Sequence, residues 1–257
     1  MGLDFFTKVR IFARSWNVLK NWYVYPLVYF NLTKKPHVIF ETKSGIKLKI
    51  RTGTTDLMAL TNVWLTQEYL DDDFYIEDDD IVLDIGGHIG LFALFASQFC
   101  KKGKIFCFEP VKENYNILLE NLELNAIKNI VPFNLAVYDD SKKVKMYLSD
   151  DDAGHSVMLS STKSIQADSI SLKKIFDDNK IDLCNFAKID CEGSEYSIID
   201  TLPSEYLKRI NKMAIEYHFA DSKPELANSL ISKIENADFH VRKKSHYNDM
   251  GFLHARR

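Results

Sequence analysis

The chain has 257 residues, of which 46% are hydrophobic and 27% charged, and it carries a formal net charge of −3. That length suits one sizeable domain with at most an appendage, and the composition is ordinary for a globular soluble protein. The mild negative balance gives no global attraction to nucleic acid or anionic lipid, so a nucleic-acid partner is not expected. Four cysteines, Cys100, Cys107, Cys184 and Cys191, form no CxxC pair and fall in or beside apolar patterns, so they read as buried reduced thiols of a cytosolic protein.

Residues 1–40 form an aromatic-rich segment expected to be helical. Phe5, Phe6, Phe12, Trp16, Trp22, Tyr23, Tyr25, Tyr29 and Phe30 crowd it, and Arg10, Arg14, Lys20, Lys34 and Lys35 flank it. The preferred reading is a helix that packs its aromatic side on the main domain. The alternative is an interfacial helix resting on a membrane or a partner. Its longest charge-free run, Asn21 to Thr33, is interrupted by Pro26 and falls short of the roughly 20 apolar residues a spanning helix needs. The start lacks a secretory layout, and Phe6 stands where a myristoylation pattern requires Ser or Thr. The expected location is therefore cytoplasmic, with peripheral contact at the inner membrane face as the alternative use of this segment.

Residues 41–80 read as a lead-in. The stretch HVIFETKSGIKLKIR, which begins at His37, alternates around Ser44-Gly45 as a hairpin does, and TDLMALTNVWLTQEYL follows as a helix. The triplets Asp71 to Asp73 and Asp78 to Asp80 lack the interior glycine and terminal glutamate of an EF-hand loop, so they read as solvated loop.

From residue 81 to 257 strand and helix patterns alternate. IVLDI is a short apolar strand, and LFALFASQF a helix apolar nearly all round, with Gly103 placed as its C-cap. KIFCFE is the second strand. A helix from Pro110 follows, with Val111, Tyr115, Leu118, Leu119 and Leu122 on one face. NIVPFNLAV reads as the third strand, with Pro132 marking an edge. KKVKMYL is an exposed excursion strand, ISLKKIF a short helix, NFAKID the fourth strand and KMAIEYH the fifth. Helices SEYSIIDTL and PELANSLISKIENA follow the fourth and fifth strands, and DFHVR and GFLHAR close the chain as a possible antiparallel pair. Such alternation predicts a mostly parallel sheet covered on both faces.

Ligands of open α/β sheets bind beyond the carboxyl ends of the strands. Asp84, Gly86, Gly87, His88 and Gly90 follow the first strand, Glu109 the second, and Asn134 and Ala136 the third; Asp190, Glu192 and Gly193 follow the fourth, and Glu216 and His218 the fifth. A dinucleotide fingerprint needs glycine at the first, third and sixth places of the turn. Counting from Gly86, the third is His88 and the sixth Leu91, so a pyrophosphate is disfavoured and a nicotinamide-dependent oxidoreductase becomes the alternative. Glu109 can accept both hydroxyls of an adenosyl ribose. S-adenosylmethionine meets these conditions: adenosine, ribose hydroxyls, no phosphate.

Together VLDIGGHIGLFALFA, IFCFEPVKENYNILLENLELN, FAKIDCEGSEYSII and AIEYH resemble the FkbM family of S-adenosylmethionine-dependent methyltransferases, over about Arg51 to His218. The lead-in shares the family's Thr-Asp and Glu-Tyr spacing at Thr55-Asp56 and Glu68-Tyr69. Gly87 and His88 replace the family's usual Ala-Asn pair. The resemblance implies a Rossmann-like class I methyltransferase: a mostly parallel seven-stranded sheet with helices on both faces, an antiparallel last strand and an N-terminal helical and hairpin extension. It implies methylation of hydroxyl groups of sugars, glycans or polyketide-type natural products, and here of a sugar, glycan or glycolipid precursor.

Carried over residue by residue, the resemblance puts Gly86, Gly87, His88 and Gly90 around the methionine part of the cofactor, in the turn that Asp84 opens. Glu109 and the adjoining Pro110 lie at the ribose, Asn134, Leu135 and Ala136 by the adenine, and Asp190 near the amino group or sulfonium. Asp56 and Tyr69 close over the cofactor. Candidates for a general base are His218, His155, Asp190 and Glu192, with His218 preferred because imidazole titrates near neutrality. Coordination of a divalent cation by Asp190, Glu192 and Glu216 is the less favoured reading, and no metal ligand is assigned. Glu192 can equally satisfy backbone donors at the start of the next helix. Asp150 to Val157, with His155 and Ser156, is read as a loop shaping the acceptor site. A cofactor-binding module without catalysis is the remaining alternative.

Overall fold

The structure is a computed structural model that describes residues 5–71, 74–139, 141–147, 164–247 and 249–257. Two helices open the chain, α1 (Phe5–Val18) and α2 (Val24–Tyr29), followed by the antiparallel hairpin β1 (His37–Glu41) and β2 (Lys47–Arg51). Strand β1 crosses residue 40, so the aromatic segment and the hairpin share a strand. Alternation turns Val38, Phe40, Leu48 and Ile50 inward. The next helix, α3 (Asp56–Leu60), widens into a π-helical turn over Thr61–Thr66 and stops at Gln67, whose φ is 54°.

The main sheet draws on β3 (Ile81–Ile85), β4 (Lys104–Phe108) and β5 (Ile130–Phe133), with α4 (Leu91–Ala96) and α5 (Lys112–Leu124) between them. Next come β6 (Ala136–Tyr138), β7 (Lys143–Tyr147) and β8 (Ser164–Ser171), then α6 (Leu172–Asp178) and β9 (Cys184–Asp190). The chain ends with α7 (Glu195–Thr201), α8 (Ser204–Leu207), β10 (Ile210–His218), α9 (Pro224–Glu235), β11 (His240–Tyr247) and β12 (Met250–Arg256). The seven strands run in the order β11-β12-β10-β9-β3-β4-β5. β12 is antiparallel to both neighbours, whereas β10, β9, β3, β4 and β5 pair in parallel. This is the expected sheet. Its central strands read as continuous apolar runs because helices cover both faces, and α4 is buried along its whole length.

Three local expectations need correction. The strand expected from Asn129 to Val137 is broken: β5 ends at Phe133, and β6 leaves the main sheet to pair with β8, which in turn pairs with β7. The Asn134 side chain causes the break by donating to the carbonyls of Glu109 (2.9 Å) and Pro110 (3.0 Å), which holds the chain over the end of β4. β8 escaped notice because its sequence, SIQADSIS, is polar and half-exposed. Gly103 does not cap α4, which ends at Ala96; it permits close approach to the 78–80 loop, since a Cβ there would lie 2.0 Å from the Asp80 carbonyl oxygen. Pro110 lies outside α5, whose N-cap is Val111.

The lead-in completes one face of the sheet. Leu19, Tyr25, Phe40, Ile50, Leu60 and Trp64 join Phe92 of α4, Leu118 of α5 and Phe186 of β9 in one core, while α6, α7 and α9 cover the other face. Tyr25 hydrogen-bonds Thr61 (2.7 Å), and the Trp64 indole donates to the Leu91 carbonyl (3.1 Å), so the lead-in is fastened to the helix behind the glycine turn.

Candidate active site

A cavity of about 180 Å³ opens at the carboxyl ends of β3, β4, β9 and β10. Gly86, Gly87, His88, Glu109 and Pro110 form one side, Tyr69, Lys188, Asp190, Glu192 and Glu216 another, and Ala136 and residues of α3 close it.

The turn after β3 tolerates no side chain at its first two positions. Gly86 has φ 79°, and a Cβ there would sit 1.7 Å from the Asp190 carbonyl oxygen; a Cβ on Gly87 would meet Cys107 Sγ at 2.3 Å. The N–H groups of Gly86 and Gly87 both donate to the Phe108 carbonyl (3.1 and 2.8 Å), so the turn is laid against the end of β4. Gly90, with φ 84°, starts α4. His88 is itself left-handed, with φ 50°. A non-glycine residue there is uncommon and needs support from its surroundings.

Glu109 provides part of that support. Its carboxylate accepts from the N–H groups of His88 and Val111, each at 2.8 Å, and from Asn114 Nδ2 at 3.4 Å. Burial raises its pKa, and His88 and the N–H donors oppose the rise. Oε1 accepts from Val111 and Asn114 and Oε2 from His88 alone, so one acceptor site remains on Oε2. A turn with glycine at its closest approaches and an acceptor carboxylate on the same wall fits an adenosyl cofactor.

The His88 side chain points into the lead-in. Its Nε2 is 3.3 Å from Asp56 Oδ1 and 3.2 Å from Arg51 Nη2. Asp56 is fully buried and accepts from Arg51 N (2.8 Å), Nε (3.0 Å) and Nη2 (2.7 Å). Burial works against its charge, but bonds from His88 and Arg51 outweigh it and hold the carboxyl well below the usual range. Arg51 Nη2 also reaches Asn114 Oδ1 (2.8 Å). Asp56 therefore does not close over the cofactor as expected. It lies outside the cavity lining and reaches the turn through His88 and Arg51.

On the far wall Tyr69 donates to Asp190 Oδ2 (2.9 Å). Lys188, buried in β9, lies 3.3 Å from Asp84 Oδ1 and 3.7 Å from Asp190 Oδ2. Burial disfavours its charge, yet Asp84 and Asp190 prevail and hold its pKa above the ordinary lysine value. Asp84 is fully buried and lies outside the lining, so its part in the turn is to anchor Lys188. Lys188 was not singled out in the sequence, although a lysine inside the apolar run FAKID is the mark that finds it.

Behind Glu192 stands a second buried array. Glu195, fully buried, accepts from Gly193 N (2.8 Å) and His218 N (2.7 Å), and lies 3.2 Å from His218 Nδ1. On its other side His218 Nε2 is 3.2 Å from Glu192 Oε2. Burial opposes the imidazolium, but Glu195 and Glu192 outweigh it and push the His218 pKa up to about 10. Burial raises Glu192 to about 7, with His218 pulling it back. The preferred base of the sequence reading thus lies outside the cavity lining with its pKa raised, whereas Glu192 and Glu216, both raised by burial, line the cavity. The helix-start role considered for Glu192 falls to Glu195, which takes the Gly193 N–H.

Asn134 supports the carbonyls of Glu109 and Pro110, and of the trio 134–136 only Ala136 lines the cavity. His155, Ser156 and the loop Asp150 to Val157 lie outside the described residues. Asp190, Glu192 and His218 present ligand atoms within 4.8 Å of one another. Lys188 stands 3.7 Å from Asp190 at the edge of this group.

The chain matches the Methyltransferase FkbM domain over residues 84–241. Methyltransferase 1 of Beauveria bassiana is 23% identical over 172 residues, covering 58% of this chain and 68% of that protein. Hexuronic acid methyltransferase AglP of Haloferax volcanii is 26% identical over 157 residues, covering 61% of this chain and 63% of that protein. The chain thus spans about two thirds of the length of these curated relatives. Among solved structures, Methyltransferase FkbM from Methylobacillus flagellatus aligns with a TM-score of 0.51 at 18% identity, covering 78% of this chain and 53% of that one. The fibrillarin pre-rRNA processing protein of Methanococcus jannaschii aligns with a TM-score of 0.50 at 13% identity, over 87% of this chain and 84% of that one. Both share the fold.

Proposed function

The chain belongs to the FkbM methyltransferase family, and from that premise we propose that it is an S-adenosylmethionine-dependent O-methyltransferase acting on a hydroxyl of a sugar, glycan or glycolipid precursor. The observation that carries this reading is the pairing of the Gly86–Gly87 turn and Glu109 on one wall of the cavity with Glu192 on another. The sugar class is supported by the likeness to a relative named for methylating a hexuronic acid.

When bound, S-adenosylmethionine supplies a methyl group already activated on a sulfonium. The residues around it then have to bind, align and deprotonate. Glu109 accepts the ribose hydroxyls, the backbone of residues 86–88 takes the methionine part, and Pro110 and Ala136 border the adenine. Asp190, steadied by Tyr69 and Lys188, faces the amino group. Much of the rate in such an in-line displacement comes from holding the reacting atoms in register.

The acceptor hydroxyl is a weak nucleophile at neutral pH. A carboxylate with a pKa of about 7 is matched to take its proton at working pH, so Glu192 is assigned as the general base. His218, fixed by Glu195, positions Glu192 and favours its ionised form before it takes the proton. The full chain, incubated with methyl-labelled S-adenosylmethionine and a lysate separated into glycan, lipid and protein fractions, tests the reading. Label is expected in carbohydrate-bearing material. Label confined to protein would refute the acceptor class.

A further inference from the structure

α1 exposes Phe6, Val9 and Trp16 beside Arg10 and Asn17, an apolar-and-basic outer surface unlike the polar face of a helix packed on a soluble domain. Ile11 and Ser15 turn inward and are buried. Val9, Ala13 and Trp16, spaced so that they share a face, turn outward, with Trp16 61% exposed. Trp16 stacks on Trp22 with ring centroids 5.4 Å apart, and Trp22 meets Tyr23 edge-on at 6.4 Å. Tyr23, Phe30 and Leu32 are 59%, 58% and 68% exposed, so the outward aromatics continue through α2 and past it. The expected packing of this segment on the main domain is met by Tyr25, Val28 and Leu19, which are buried, but the outward set stays largely exposed, touching only rings of its own segment among the described residues.

The charges around this face are predominantly basic. From residue 1 to 36 the charged side chains are Lys8, Arg10, Arg14, Lys20, Lys34 and Lys35 with Asp4 the one carboxylate, in a chain whose net charge is −3. Arg14 donates to the Leu65 carbonyl and Lys20 pairs with Glu41, whereas Arg10, Lys34 and Lys35 are exposed. A second copy docked through the same face would set basic residues against basic residues. An anionic bilayer complements both features: its interface receives Trp and Tyr, and its headgroups attract Lys and Arg.

We propose that the outward face of α1, α2 and the following 30–35 segment docks in the plane of an anionic lipid surface. No described helix is long and apolar enough to cross a membrane, so the contact is peripheral. α1 packs against the π-helical turn that continues α3, and α3 residues Met58 and Ala59 line the cavity, so the bilayer would lie beside the cavity's outer wall.

The test is co-sedimentation of the full chain with vesicles of phosphatidylcholine alone and of equal parts phosphatidylcholine and phosphatidylglycerol, at low and high salt. Binding is expected only to the anionic vesicles and should weaken as salt rises. Lys34→Glu with Lys35→Glu should weaken it at least about tenfold, because each basic residue near the surface contributes independently. Trp16→Ser should lower it further while thermal stability holds. Equal binding to both vesicle types, or to neither, overturns the proposal. Self-association in light scattering without vesicle binding also overturns it and identifies a second copy as the occupant. The wild-type comparison of the two vesicle types decides the matter whether or not a variant folds.

Discussion

The His88 imidazole lies 3.3 Å from the Asp56 carboxylate, a contact that ties the turn after β3 to the hairpin lead-in. Asp56 is held in turn by three donors of Arg51. The turn is thus positioned from two sides, by Glu109 on its backbone and by Asp56 and Arg51 on its one side chain. A residue with positive φ is costly unless its surroundings determine it, and here they do.

Asp56→Asn should destabilise the fold by about 2–4 kcal/mol, because it leaves Arg51 short of its charge partner in a mostly buried setting. The wild-type contribution also depends on pH. The folded pKa lies below the ordinary 3.8, so the stability is present above that value and is lost as pH falls beneath it. Denaturant melts of both proteins across this range check it; equal acid sensitivity would remove the assignment.

Glu109→Gln should weaken S-adenosylhomocysteine binding about 10- to 100-fold, the usual loss when a charged acceptor is neutralised. The glutamine keeps one acceptor oxygen for the His88 or Val111 N–H, so the turn should persist where alanine would free both. Titration calorimetry and melting temperature together separate binding from folding. Undiminished affinity would move the ribose elsewhere.

The rate of methyl transfer should rise with pH through about 7 as Glu192 loses its proton, and then level off. Glu192→Gln should flatten the profile and lower turnover by about 100- to 10,000-fold. His218→Gln should instead shift the profile to higher pH, because the imidazolium lowers the Glu192 pKa and its removal lets that pKa climb. A His218 variant that loses activity with an unshifted profile would show a purely structural role.

Turnover should be unchanged in a chelator. Lys188 and His218 already stand beside Asp190 and Glu192 as cations, at 3.7 and 3.2 Å. Loss of activity on chelation, restored by a divalent ion, would assign the Asp190, Glu192 and His218 cluster to a metal.

Much of the architecture and the cavity's general place were legible from residue order alone. Apolar strands alternating with amphipathic helices specify a parallel sheet, and the strand ends then locate the cavity, because both follow from local periodicity and chain connection. The hairpin at Ser44-Gly45 follows from the same periodicity, and the edge strand at Pro132 from a residue with no N–H to give a neighbouring strand. What the sequence could not decide is which charges meet. Asp56 pairs with His88 across 32 positions of chain, Lys188 with Asp84 across 104, and His218 with Glu195 across 23. Residue type alone made His218 the base and Asp56 a cofactor contact. In the fold, two carboxylates raise the His218 pKa and burial raises that of Glu192 to about 7, since a pKa is set by desolvation and neighbouring charge rather than by the side chain's identity.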